Sequence, residues 1–156
     1  MAGILIVAHA PLASALKSCL AHIYGELPAR IGAIDVTPDS DPTKLLAAAQ
    51  HALSDLIKDN GALVLTDLFG ATPANIASQL AHLPQVQVLA GVNLPMLVRA
   101  VCYRTTPLAQ LAEKALAGGA KGIQAIVGPS ASLPCASSLS ELYQPERHAT
   151  TRNHHY

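Results

Sequence analysis

Gly3-Ile4-Leu5-Ile6-Val7-Ala8 is wholly apolar and stops at His9-Ala10-Pro11, after which a helical pattern begins at Leu12. A strand buried on both faces of a parallel sheet reads this way, as a near-continuous run of β-branched residues and leucine. Ligands in such sheets sit in the crevice beyond the carboxyl ends of the strands. His9 therefore stands where a parallel α/β protein presents its chemistry. The same start could be mistaken for a secretory signal, with Ala13-Ser14-Ala15 as a cleavage site. It has no basic segment in front, however, and the apolar run breaks below the ~7 residues such a signal needs.

Outward from this strand, capping residues followed by proline mark helix starts at Asp41-Pro42, Thr72-Pro73 and Thr106-Pro107. The first helix is expected from Leu12 to Tyr24, with Leu12, Leu16, Cys19, Leu20 and Ile23 on one face and Gly25 closing it in a left-handed conformation. Ile31 to Val36 reads as the second strand. The second helix is expected from Asp41 to about Asp59, with Leu45, Leu46, Ala49, Leu53, Leu56 and Ile57 as its stripe. Ala62 to Thr66 is the third strand and stops at Asp67. A third helix follows from Thr72 to about Leu83, then a strand over Val86 to Ala90, helices at about Leu94 to Tyr103 and Pro107 to Ala117, and a short last strand from Gly122 to Val127. From Gly128 the apolar period fails. One domain over residues 1–128 is expected, with residues 129–156 as a mobile tail.

This alternation predicts a three-layer α/β fold with right-handed crossovers and four parallel strands, in order 2-1-3-4 if the common arrangement holds. The switch point then lies between the first and third strands, and His9 and Asp67 become neighbours across a crevice.

Ten basic and ten acidic side chains cancel and form no stripe, which removes the electrostatic signature of a nucleic-acid binder. No run approaches the ~20 apolar residues of a membrane-spanning helix. The three cysteines, Cys19, Cys102 and Cys135, lack metal-ligand spacing, and Cys19 and Cys102 lie in apolar helical patterns where a thiol packs as a small hydrophobe. A cytoplasmic protein follows as the expectation. His22, His51 and His82 on helices, and His148, His154 and His155 beyond the last strand, are assigned no metal.

A carboxylate bonded to one imidazole nitrogen sets the tautomer, leaves the other lone pair outward and stabilises the cationic ring formed on attack. Two helix starts, after Pro11 and at Thr72-Pro73, offer N–H groups and dipoles that favour an anion, with the Thr72 hydroxyl and the Gly70-Ala71 backbone beside them. Such a set suits phosphoryl transfer through phosphohistidine. Taken singly, Asp67 could be a turn residue, Thr72 an N-cap, and Asn75 and Asn93 loop or capping residues. Motifs that bind nucleotide phosphates, G-x-x-x-x-G-K-[ST] and G-x-G-x-x-G, are missing, so ATP is not the expected donor and no cofactor is expected. The acidic cluster of a receiver, the hydroxyl-rich loop of a flavodoxin and the G-x-S-x-G of an α/β-hydrolase are missing too.

Ile4-Leu5-Ile6-Val7-Ala8-His9, Thr66-Asp67-Leu68-Phe69-Gly70-Ala71-Thr72-Pro73-Ala74-Asn75 and Gly91-Val92-Asn93-Leu94-Pro95-Met96-Leu97 together resemble the IIA domain of the mannose family of the bacterial PEP-dependent phosphotransferase system. The resemblance runs from about Ala2 to Val127. It implies a phosphotransferase in which His9 takes a phosphoryl group from the phosphocarrier HPr and passes it to a IIB component in sugar uptake. Asp67 would orient His9, and Thr72, Gly70 and Ala71 would lie at the phosphoryl oxygens, with Asn75 and Asn93 as supporting residues. It also implies a homodimer in which the strand at 122–127 crosses to the partner's sheet and runs antiparallel, covering an open edge. Ala8, Ala10 and Pro11 depart from the small, hydroxyl and glycine residues often flanking the family's histidine, and the expectation from the short stretch after the last strand is that no IIB domain follows. A second reading is accordingly a stand-alone regulatory IIA whose phosphorylation state controls a partner protein. A third is the phosphocarrier subunit of PEP-dependent dihydroxyacetone kinase, whose usual M-D-x-G-S loop differs from the run at 66–75.

Overall fold

The computed structural model describes residues 1–128, and the expected tail at 129–156 lies outside them. Four strands, β1 (Gly3–His9), β2 (Ile31–Val36), β3 (Ala62–Thr66) and β4 (Val86–Ala90), alternate with helices α1 (Leu12–Tyr24), α2 (Pro42–Leu56), α3 (Thr72–Leu80), α4 (Leu94–Tyr103) and α5 (Leu108–Lys121). The sheet is wholly parallel, in the order β2-β1-β3-β4. Every residue of β1 before His9 is buried, because successive side chains enter opposite cores. Ile4, Ile6 and Ala8 pack with Leu63 and Leu65 beneath α1, α4 and α5; Leu5 and Val7 pack with Val64 beneath α2 and α3. An unbroken apolar run in the sequence is therefore two alternating faces in space.

Several boundaries differ from the sequence reading, each for a local reason. Asp41 does cap α2, accepting from the Thr43 N–H at 2.9 Å with Pro42 as the first helical residue. At α3, however, Ala71 is the cap and Thr72 is already helical, with no side-chain cap. Proline lacks only an N–H that any residue of the first turn would leave unused, so it marks the turn without setting the register. At α5 Pro107 itself is the cap, and the Thr106 hydroxyl instead donates to Tyr103 O at 2.7 Å, closing the end of α4. Helix α2 ends at Leu56, where Ile57 turns extended. On α1 only Ala13, Leu16 and Leu20 are buried, while Leu12, Cys19 and Ile23 face outward. Cys19 is thus not a packing residue, whereas Cys102 is partly buried against the first core.

Residues 122–127 form no strand within this chain. A segment becomes a strand only when a neighbour takes its backbone hydrogen bonds, and β4 remains the end of the sheet. Ile123, Ile126 and Val127 are left 78%, 93% and 62% exposed. Among the described residues no helix is long and apolar enough to cross a membrane.

Candidate functional site

His9 is the last residue of β1, and Asp67 follows the last residue of β3, its hydrogen-bonded neighbour. The strand order alone places them side by side. Asp67 Oδ2 accepts from the His9 main-chain N–H at 2.9 Å and lies 2.7 Å from the ring Nδ1, while Asp67 Oδ1 accepts from the Leu68 N–H at 2.8 Å. The Asp67 side chain is 13% exposed and that of His9 52%. Burial pushes the Asp67 carboxyl up, but the bonds from the His9 N–H, the His9 ring and the Leu68 N–H outweigh it and hold the group below the usual carboxylate range. A carboxylate held ionised against Nδ1 makes that nitrogen the donor and leaves Nε2 with its lone pair toward solvent.

The segment after Asp67 is shaped by its backbone. Ala71 N–H donates to Leu68 O at 3.2 Å across a turn in which Gly70 takes φ +83°. That is the positive φ required at the third position of a type II turn. A Cβ on Gly70 would meet nothing within 4 Å, so glycine is needed there for conformation and not for space. The turn holds Leu68 and Phe69 out at 63% and 89% exposure beside the His9–Asp67 pair. It then enters α3 at Ala71-Thr72, an uncapped helix start whose first-turn N–H groups are suited to an anion. Gly91 N–H to Asp67 O at 2.8 Å and Val92 N–H to Thr66 O at 3.0 Å tie the β4–α4 loop to the end of β3.

The remaining expected residues separate. Asn75 lies exposed on α3 and lines an open cleft of about 370 Å³ with Thr66, Phe69, Gly70, Ser78 and Val88. Asn93 is committed elsewhere: its Oδ1 accepts from the Met96 N–H at 2.9 Å, capping α4, and its amide donates to Gly119 O at 3.1 Å in α5. Both of its polar ends are engaged in joining helix to helix.

Two residues escaped the sequence reading. Thr66, the one buried polar residue among those described, has a hydroxyl with no hydrogen-bond partner and forms part of the cleft floor. Asp35 on β2 accepts from Ser14 at the start of α1, through the N–H at 3.0 Å and the hydroxyl at 2.5 Å. One of the two helix starts expected to serve an anion therefore already holds one. Only the I-D-V ending of β2, next to an otherwise uncapped helix start, hinted at this. His51 also has a carboxylate one turn away, Asp55 at 3.8 Å, which the sequence reading overlooked; both are well exposed, and the contact is an ion pair only when the imidazole is protonated. Among the described residues no three His, Cys, Asp or Glu side chains gather as a metal site.

Comparison with known proteins agrees with this geometry. Residues 3–116 match the EIIA-man family, described as the PTS system fructose IIA component. The sorbose-specific EIIA component of Lacticaseibacillus casei is 36% identical over 96 residues, 61% of this chain and 68% of that relative. The mannose-specific EIIAB component of Escherichia coli K12 is 30% identical over 127 residues, 80% of this chain but only 39% of that longer protein. Among solved structures, the phosphotransferase component EIIA from Streptococcus agalactiae superposes with a TM-score of 0.72 at 31% identity, covering 80% of this chain and 97% of the other. With the parallel 2-1-3-4 sheet and these relatives in agreement, the chain belongs to the EIIA-man family, the IIA components of the mannose, fructose and sorbose group of the phosphotransferase system.

Proposed function

We propose that this protein is a phosphohistidine carrier in which His9 accepts a phosphoryl group from phosphorylated HPr and hands it to a IIB component during PEP-dependent sugar uptake. The observation that carries this reading is the 2.7 Å contact between His9 Nδ1 and Asp67 Oδ2 on a half-exposed histidine. In the forward step the Nε2 lone pair forms a bond to phosphorus as the donor's own P–N bond breaks, and the donor imidazole leaves with that electron pair. The Asp67 carboxylate holds the proton on Nδ1 and offsets the positive charge on the ring. A charge-assisted bond of this kind contributes about 1.5–3 kcal/mol. The phosphoryl oxygens then meet the uncapped start of α3, with Thr72, Gly70 and Ala71. Transfer to the acceptor repeats the step in the opposite sense.

Delivery and removal by other proteins agree with a half-exposed histidine beside two exposed apolar side chains, Leu68 and Phe69. The reading places the protein in the cytoplasm, where HPr is found, and includes a homodimer formed by exchange of residues 122–127. Incubation with PEP, enzyme I and HPr is expected to add one acid-labile phosphoryl group per chain, and His9→Ala to add none. Undiminished labelling of His9→Ala would remove His9 from the mechanism. A pull-down with the phosphorylated protein tests the acceptor: a sugar-specific IIB supports the relay, and a kinase or transcription factor replaces it with regulation.

A further inference from the structure

Asp35, next to last in β2, is a carboxylate with no part in the transfer just described. It stands opposite Ala8 in the β1–β2 register, one position before His9, and the Ala10 N–H donates to Val36 O at 2.9 Å where the two strands end together. Paired strands lie about 4.8 Å apart, whereas charges at a protein surface act on one another over roughly 8–10 Å at ordinary salt. Asp35 shares the sheet face of Ala8 and the His9 side chain leaves from the other face, so the two groups lie farther apart than the strands themselves; both stand at the same end of the sheet one position apart on adjacent strands, and a charge on Asp35 acts on His9 over roughly 10 Å.

Both oxygens of Asp35 are engaged by one residue. Ser14 gives its N–H to Oδ1 and its hydroxyl to Oδ2. Ser14 is the third residue of α1, a helix with no side-chain cap of its own and no acidic residue in its first turn. Asp35 supplies both from the neighbouring strand, satisfying a free N–H and the positive end of the helix dipole. The two helix starts at the crevice are thus unequal, since α3 is uncapped and α1 is already occupied by an anion.

We propose that Asp35 sets the strength with which His9 holds its phosphoryl group: seated on Ser14 at the start of α1, its carboxylate denies that helix end to the phosphoryl group and adds like charge beside it. The proposal rests on the phosphohistidine reading of His9. A phosphoryl group brings close to two negative charges, so the repulsion raises the free energy of the phosphorylated protein and leaves the free protein unaffected. The group is consequently held less firmly and passes on more readily. Asp35 touches no reacting atom and acts as a positioning residue through its charge.

The experiment reads an equilibrium. Phosphorylated HPr, freed of enzyme I and PEP, is mixed with the protein, and the phosphoryl group on each is quantified by intact mass at low and at high salt. Asp35→Asn keeps an oxygen for the Ser14 N–H and removes the charge. It is expected to shift the equilibrium about threefold toward the phosphorylated protein at low salt, the size of a single charge acting across ~10 Å of water-like medium, and much less at about 0.5 M salt, where the screening length falls below ~5 Å. Ser14→Ala, which keeps the charge, is expected to give no such gain. The proposal is overturned by an unmoved equilibrium in Asp35→Asn, by a shift of the same size at both salt concentrations, or by an equal gain in Ser14→Ala. No label on the wild-type protein overturns the phosphohistidine reading and this proposal with it, whereas normal labelling with an unmoved equilibrium overturns this proposal alone.

Discussion

At His9 the useful nitrogen is determined by the one that is already engaged. Asp67 Oδ2 accepts from both the His9 N–H and the ring Nδ1, so a single carboxylate oxygen sets backbone, ring plane and tautomer together. Asp67→Asn is expected to keep the fold and slow transfer from phosphorylated HPr at least tenfold, about 1.4 kcal/mol of barrier; equal rates in a rapid-quench assay would reduce Asp67 to a turn residue. The same contacts carry a pH dependence. Burial raises the Asp67 pKa, but the three hydrogen bonds lower it by more, leaving it depressed. A carboxylate with a folded pKa below its unfolded value of ~3.9 adds stability that is fully present above that value and lost as pH falls through the folded one. The melting-temperature advantage of wild type over Asp67→Asn is thus expected to shrink as pH falls below about 4; a gap that ignores pH there would contradict the coupling. His9 and Asp67 were legible in the sequence because each ends an apolar run. Asp35 was not, because the partner it caps belongs to a different element and no local pattern records that meeting.

Among the elements, the α4–α5 contact depends on an absence of side chain. Glycine in a helix normally costs about 1 kcal/mol relative to alanine, yet α5 carries Gly118 and Gly119 in its last turn. A Cβ on Gly118 would lie 2.7 Å from both Cβ and Cγ of Arg99 on α4, and one on Gly119 would lie 3.0 Å from the Met96 side chain. Gly118→Ala is therefore expected to destabilise the protein by about 1–3 kcal/mol through overpacking, opposite in sign to helix propensity. Thermal melting decides it, and a raised melting temperature would show that Arg99 yields easily. The sequence reading ends this helix at about Ala117, whereas α5 runs on through Gly118-Gly119 to Lys121 and uses the two glycines as a helix contact. The misplaced starts at Thr72 and Thr106 have a related cause. Proline and a hydroxyl residue announce a helix start to within a residue or two, but the residue that becomes the cap depends on where the chain arrives from, here a type II turn through Gly70 and the close of α4 at Thr106.

At the scale of the whole molecule, the sheet ends at β4 with an edge that no described residue pairs, while Ile123, Ile126 and Val127 stand exposed just beyond α5. If these residues pair with a second copy, sedimentation is expected to give twice 16.2 kDa at micromolar concentration, and Ile126→Asp with Val127→Asp is expected to give monomer; a monomeric wild type would reject the exchange. What the sequence by itself determined was the alternation of strand and helix, the parallel sheet and the two strand ends carrying His9 and Asp67. Burial on both faces, caps and periodicity are written in neighbouring residues, and the handedness of crossovers does the rest. What only the tertiary structure decided was which groups are already engaged: Asp35 on Ser14, Asn93 between two helices, Thr66 unpartnered in a cleft floor. Those outcomes depend on contacts between residues far apart in the chain, whose partners are chosen by packing distance and by the demand that each buried polar group be satisfied.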